Sequence, residues 1–71
     1  MAKNTTNFRV TFFDETESWA DSDEGFETEG QATMRAKAFL NGAKDGAYVD
    51  VEEIKKVKRV WRSEPKSTYY K

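Results

Sequence analysis

Cysteine and histidine are both missing from this 71-residue chain, and proline occurs once. Without cysteine there is no disulfide scaffold, no thiolate metal site and no thiol nucleophile. Without histidine the commonest near-neutral acid–base group is gone. Long apolar runs are scarce as well. No stretch approaches the about 18 apolar residues of a membrane-crossing helix, so no membrane partner is expected. Met1-Ala2-Lys3-Asn4-Thr5-Thr6-Asn7 lacks the apolar run and cleavage site of a secretory signal. The expectation is an intracellular, cytoplasmic, soluble protein. The glycines at 25, 30, 42 and 46 fit neither dinucleotide-binding nor P-loop spacing, and no cofactor is expected.

What is present leaves folding to be argued. Charged residues are 35% of the chain against 37% hydrophobic, and the mean hydropathy is −0.93, a balance that leans toward disorder. The net charge of −1 and the 14% of aromatic residues lean the other way, since disordered chains carry few rings. One domain over residues 7–62 is expected, with a disordered N-terminus at 1–6 and a flexible C-terminal tail at 63–71. A core this small supplies only about 3–5 kcal/mol, so marginal stability or self-association as a homodimer is part of the expectation.

The near-neutral total conceals a strong polarity. Residues 1–30 hold eight acids (Asp14, Glu15, Glu17, Asp21, Asp23, Glu24, Glu27, Glu29) against Lys3 and Arg9, a balance of −6. Residues 54–71 hold Lys55, Lys56, Lys58, Arg59, Arg62, Lys66 and Lys71 against Glu64, a balance of +6. Either the two ends neutralise each other within the fold, or one of them presents a local potential to a partner.

Phe8, Val10 and Phe12 alternate with Arg9, Thr11 and Phe13, the period of a half-buried strand. A weaker strand is expected from about Ser18 to Phe26, with a bulge or widened turn tolerated around Asp21–Gly25. Thr28 with Gln31 forms a capping box. Ala32, Ala36, Phe39, Leu40 and Ala43 then share one face of a helix that stops at Asn41-Gly42 or Asp45-Gly46. Ala47 to Val51 alternates as a strand. Over 51–62 a strand continued past a bulge or short turn near Glu52–Lys56 competes with a helix carrying Ile54, Val57 and Trp61, and the valine and aromatic content favours strand. The fold class is α+β: a small antiparallel sheet with one helix packed on one face, ordered strand, strand, helix, strand, with a possible fourth strand. Phe8, Val10, Phe12, Phe39, Leu40, Val49 and Val51 are the expected core.

Catalysis has little to stand on, and the protein is expected not to be an enzyme. Asp21, Asp23 and Glu24 beside Gly25 offer hard oxygen ligands but lack the remaining positions of a calcium loop, so no metal is expected. Binding has more. Lys55, Lys56, Lys58, Arg59 and Arg62 surround Trp61, the mixture that phosphate neutralisation with base stacking requires. The competing reading makes Trp61 core and the lysines a solvated strand face. The acidic run Asp14, Glu15, Glu17, Asp21, Asp23 and Glu24 clusters around a turn and a weak strand, with Trp19 either its apolar anchor at an interface or a core residue.

Phe8–Phe13 followed by Gly25-Phe26-Glu27-Thr28 and the Ala32–Phe39 helix resembles the arm-type DNA-binding domains of tyrosine recombinases over about half the chain. There, strands lead into a similar corner and helix. The resemblance implies that topology; family members read DNA with a basic sheet, whereas this segment is acidic. In size, acidity and lack of catalytic groups the chain is also similar in type to small bacteriophage accessory proteins that bind a host protein. The leading expectation is therefore a non-catalytic protein-interaction module. It would be a small regulator or inhibitor from a bacteriophage or mobile element, occupying a host protein surface through its acidic stretch, with mimicry of nucleic acid as one route. The alternative is nucleic-acid binding through the basic C-terminal third.

Overall fold

Four strands and one helix make up the computed structural model, which describes residues 6–71: β1 (Thr6–Phe13), β2 (Trp19–Phe26), α1 (Glu29–Asn41), β3 (Tyr48–Val57) and β4 (Val60–Tyr70). The strands form one antiparallel sheet in the order β2-β1-β3-β4, with α1 against one face. The α+β architecture and the fourth strand follow the sequence reading. The disorder expected over residues 1–6 falls outside the described residues except at Thr6, which opens β1.

The central strands face the helix through alternate residues. Val10 stands opposite Val51 and Phe12 opposite Val49, all four fully buried. Ala32, Ala36 and Leu40 of α1 close the core from above, with Ala47 at its end. Alanines on the inner helical face let the helix lie close to the sheet, and the Phe39 ring stacks on Phe12 at 4.6 Å between centroids. Phe8 and Phe39, expected in the core, are partly buried and pack against its rim. The helix starts at the expected cap, where Gln31 N donates to Thr28 Oγ1 at 3.2 Å, but the Gln31 side chain reaches one residue past the reciprocal bond of a capping box and accepts from Glu27 N at 2.9 Å.

β2 is poor strand material held by pairing. All but Phe26 of its residues are exposed. Gly25, at φ 91°, is passed over where Phe8 pairs with Phe26 and Arg9 with Glu24, a bulge that needs a residue free of a Cβ penalty. Charged side chains on such an edge strand discourage a further strand from adding to it.

The expected flexible tail at 63–71 is corrected: these residues complete β4, which pairs with β3 along its whole length. A register shift leaves Lys66 unmatched between Ser67, opposite Val51, and Pro65, opposite Glu52. Proline lacks an N–H, and an edge strand at a bulge tolerates that loss. Tyr69 packs against the core and shares a hydrogen bond with Thr33 at 3.3 Å, which anchors the far end of the strand. The helical alternative over 51–62 is likewise excluded. The chain reverses at Lys58-Arg59, not near Glu52–Lys56, in a two-residue turn between the paired Val57 and Val60.

Candidate functional site

β3 and β4 outrun the rest of the sheet. The last described pair between β1 and β3 is Thr6 with Lys55, and beyond it the hairpin pairs only with itself among the described residues. This arm gathers the basic residues singled out in the sequence. Lys55 stands opposite Arg62, Lys56 opposite Trp61, and Lys58 and Arg59 form the tip. The tip is strained: Lys58 and Arg59 sit at φ 50° and 71°, where a two-residue hairpin normally places asparagine and glycine.

Of these cations Lys55 is spoken for internally. Its Nζ lies 3.3 Å from Glu64 Oε2 and 3.3 Å from Glu53 Oε1, and these hydrogen bonds raise its pKa. Burial pushes the Glu53 carboxyl up, but hydrogen bonds from Lys66, at 3.2 Å, and from Lys55 outweigh it and hold the group below its ordinary value. Lys56, Lys58, Arg59 and Arg62 form no ion pair among the described residues. Trp61 is 54% exposed, so the reading of it as core is wrong; the Lys56 ammonium lies 5.7 Å from its ring centroid.

The acidic residues are not brought onto one surface. Asp14 is consumed by the β1–β2 turn, where its Oδ1 accepts from Thr16 N at 2.8 Å, Thr16 Oγ1 at 2.6 Å and Ser18 N at 3.1 Å. Those bonds, the Thr16 hydroxyl first, lower its pKa. Asp21 and Asp23 pair with Phe12 and Val10 and so lie on the helix side, where Asp23 Oδ2 accepts from Arg35 Nε at 2.9 Å. Glu24 pairs with Arg9 and faces the other way. Glu15 and Glu17 project from the turn. Trp19 is 62% exposed and is not a core residue.

The helix-free face holds a feature that period counting within single strands does not show. Trp19 pairs with Phe13, Phe13 with Tyr48, and Tyr48 with Tyr70, so one aromatic residue from every strand forms a row across the sheet. Phe13 and Tyr48 stack at 4.6 Å, and Tyr48 and Tyr70 lie 5.9 Å apart. Beside them a cleft of about 500 Å³ is lined by Glu15, Glu17, Tyr48, Asp50, Thr68 and Tyr70. Burial, then the charges of Glu17 and Asp50, push the Tyr48 hydroxyl up. Parity along β1 and β3 is the signal that could have found Phe13 and Tyr48, whereas the places of Trp19 and Tyr70 depend on bulges in β2 and β4.

Among the described residues, no group of three or more carboxylates converges to hold a metal ion, and no helix is long and apolar enough to cross a membrane. No family model matches this chain, and no curated protein or solved structure matches it.

Proposed function

We propose that the protein is a non-catalytic binding module that engages nucleic acid through the β3–β4 arm. The observation that carries this is the arm itself: four cations with no ion pair among the described residues, one of them over an exposed indole, on a projecting two-stranded ribbon. Cations on a ribbon displace counterions from a phosphate backbone, and an exposed indole offers a base a stacking surface worth about 1–3 kcal/mol. A lysine and an arginine at left-handed positions fit this reading, because charge occupies a tip where turn chemistry alone favours other residues.

The acids of the β1–β2 turn, Asp14, Glu15 and Glu17, do not cancel this attraction. Eight residues of β3 separate Tyr48 from Lys56, roughly 26 Å at strand rise, about three times the ~8 Å screening length at physiological salt. Glu24, which shares a shallow pocket with Trp61, and Glu27, which follows the Phe26 paired through Phe8 with Glu53, lie nearer the arm. Electrophoretic shift with single-stranded and duplex oligonucleotides tests the reading. Four phosphate contacts give a log–log salt slope of about −3.6 on duplex and about −2.8 on single strands. Lys56→Glu/Lys58→Glu/Arg59→Glu should abolish the shift, and no shift of the native chain at low salt would exclude the proposal.

A second reading, the leading one from sequence, keeps one observation in its favour: Trp19 is largely exposed beside a turn rich in acids. Here the module occupies a host protein surface as a small regulator or inhibitor of bacteriophage or mobile-element origin. Trp19→Ala should then abolish capture of a partner from bacterial lysate and leave the melting temperature unchanged.

A further inference from the structure

The helix-free sheet face is apolar at both ends. The aromatic row lies at one end and Ile54 and Trp61 at the other, with Trp19, Tyr70 and Trp61 at 62%, 75% and 54% exposure. Its charges are ordered along the strands. Glu15, Glu17 and Asp50 surround the aromatic row, the Arg9–Glu52 ion pair at 3.3 Å occupies the middle with Glu24 beside Arg9, and Lys56 marks the arm end. We infer that a second copy of this chain docks on this face in antiparallel orientation, each arm lying over the acidic, tyrosine-lined end of the other. The inference goes beyond the nucleic-acid reading and does not depend on it.

The argument is one of self-complementarity. Tyr48 and Lys56 each lie four residues from Glu52 along β3 and point to the same side. A two-fold axis in the plane of the interface, crossing β3 at Glu52, therefore carries Lys56 of one copy onto Tyr48 of the other. The same rotation sets β4 over β4, so Trp61, the neighbour of Lys56, meets Tyr70, the neighbour of Tyr48. The ammonium gains two tyrosine faces and the carboxylates of Glu15, Glu17 and Asp50, a cation–π site with counterions. The Arg9–Glu52 pair falls on the axis together with Glu24, the partner of Arg9 on β2, so each Arg9 lies between two carboxylates and offsets one of them where the row meets its own image. A parallel stack would instead set acid on acid.

The rotation closes on itself, which limits assembly to two copies. The molecule measures 43 × 19 × 16 Å, so its broad face is on the order of the ~800 Å² per partner that a specific interface buries. Docking would cover Lys56 and Trp61, so nucleic acid and the second copy would compete for the arm.

Sedimentation velocity on the full chain, freed of nucleic acid, tests this apart from the function proposed above. The native chain should dimerise at low salt and dissociate as salt is raised. Glu15→Lys/Glu17→Lys and Lys56→Glu/Lys58→Glu should each weaken dimerisation by more than about a hundredfold, through like charges at both contacts. Circular dichroism and an unchanged melting temperature confirm that each variant folds. Equimolar mixing of the two variants should restore the dimer, because the reversed arm of one meets the reversed cleft of the other. A native chain that stays monomeric up to its solubility limit, open-ended oligomers, or a mixture that remains monomeric would overturn the inference.

Discussion

The two halves of β3 carry similar residues to opposite ends. Val49 and Val51 are fully buried, whereas Val57, on the same face of the same strand, is 45% exposed, next to Val60 at 53%. Side-chain type does not separate them; the length of the helix does. Thirteen residues of α1 span about 20 Å, and ten residues of β3 span about 33 Å, so a helix placed over the Tyr48 end leaves the other end uncovered. A valine-rich alternating run thus states that a strand exists, and only the covering element decides whether it is core.

Deleting one large residue paired with each half, Phe12 of β1 opposite Val49 and Trp61 of β4 opposite Lys56, breaks or sharpens that contrast. Phe12→Ala should cost about 3–5 kcal/mol, comparable with the whole stability of a domain this small, and leave a largely unfolded chain in urea titration. Trp61→Ala removes a larger ring yet should shift the same titration by no more than about 0.5 kcal/mol, while weakening the oligonucleotide complex. Equal losses of stability would show that the arm is part of the cooperative core.

A smaller effect separates stability from binding at the tip. Lys58→Asn/Arg59→Gly places preferred residues at the left-handed positions and should stabilise the chain by about 1 kcal/mol. It should also reduce the oligonucleotide salt dependence by the equivalent of two phosphate contacts. Thermal melts and electrophoretic shifts on one preparation read both changes; stabilisation with undiminished binding would move the contact off the tip.

The weakest effect is the pH dependence of the two carboxyls with lowered pKa values. A carboxyl held below its unfolded pKa contributes stability that is complete above the unfolded value and is lost as pH falls through the folded one. Asp14 and Glu53 both belong to this class, so stability should decline on acidification below the ordinary carboxyl values of about 3.9 and 4.3. Lys55, raised, has the opposite sign: its contribution is complete below about 10.4 and is lost as pH rises through its folded value. Asp14→Asn should flatten the acid limb of a melting-temperature profile. An unchanged limb would mean that the turn forms without the charge.

The parts legible in the sequence were those whose own pattern decides them. Phe8–Phe13 and Ala32–Leu40 bury a face of fixed period, and Thr28 with Gln31 fixes a helix start by local hydrogen bonds. The part of β4 beyond Arg62 was not legible because residues 63–68 contain no large apolar side chain; β3 supplies its place by pairing. The turn was misplaced because Lys58 and Arg59 are not turn formers. The candidate site divided in the same way. The basic residues lie close in sequence across a two-residue turn and stay together in space. The acids lie along an edge strand whose alternation and bulges, at Ala20 and Gly25, send Asp23 and Glu24 to opposite faces. The aromatic row needed the register of four strands at once.

Neither tryptophan is enclosed. The indole emission of the folded monomer should therefore lie close in wavelength to that of the unfolded chain and respond weakly to melting of the core. The same emission should shift when either end of the molecule is covered. Its two sources sit at opposite ends of the sheet, one next to Phe13 and one next to Lys56, so single Trp19→Phe and Trp61→Phe variants would assign a blue shift to one end or the other. Collapse of the core is better followed by backbone dichroism, and contact with a partner by the light the protein already emits.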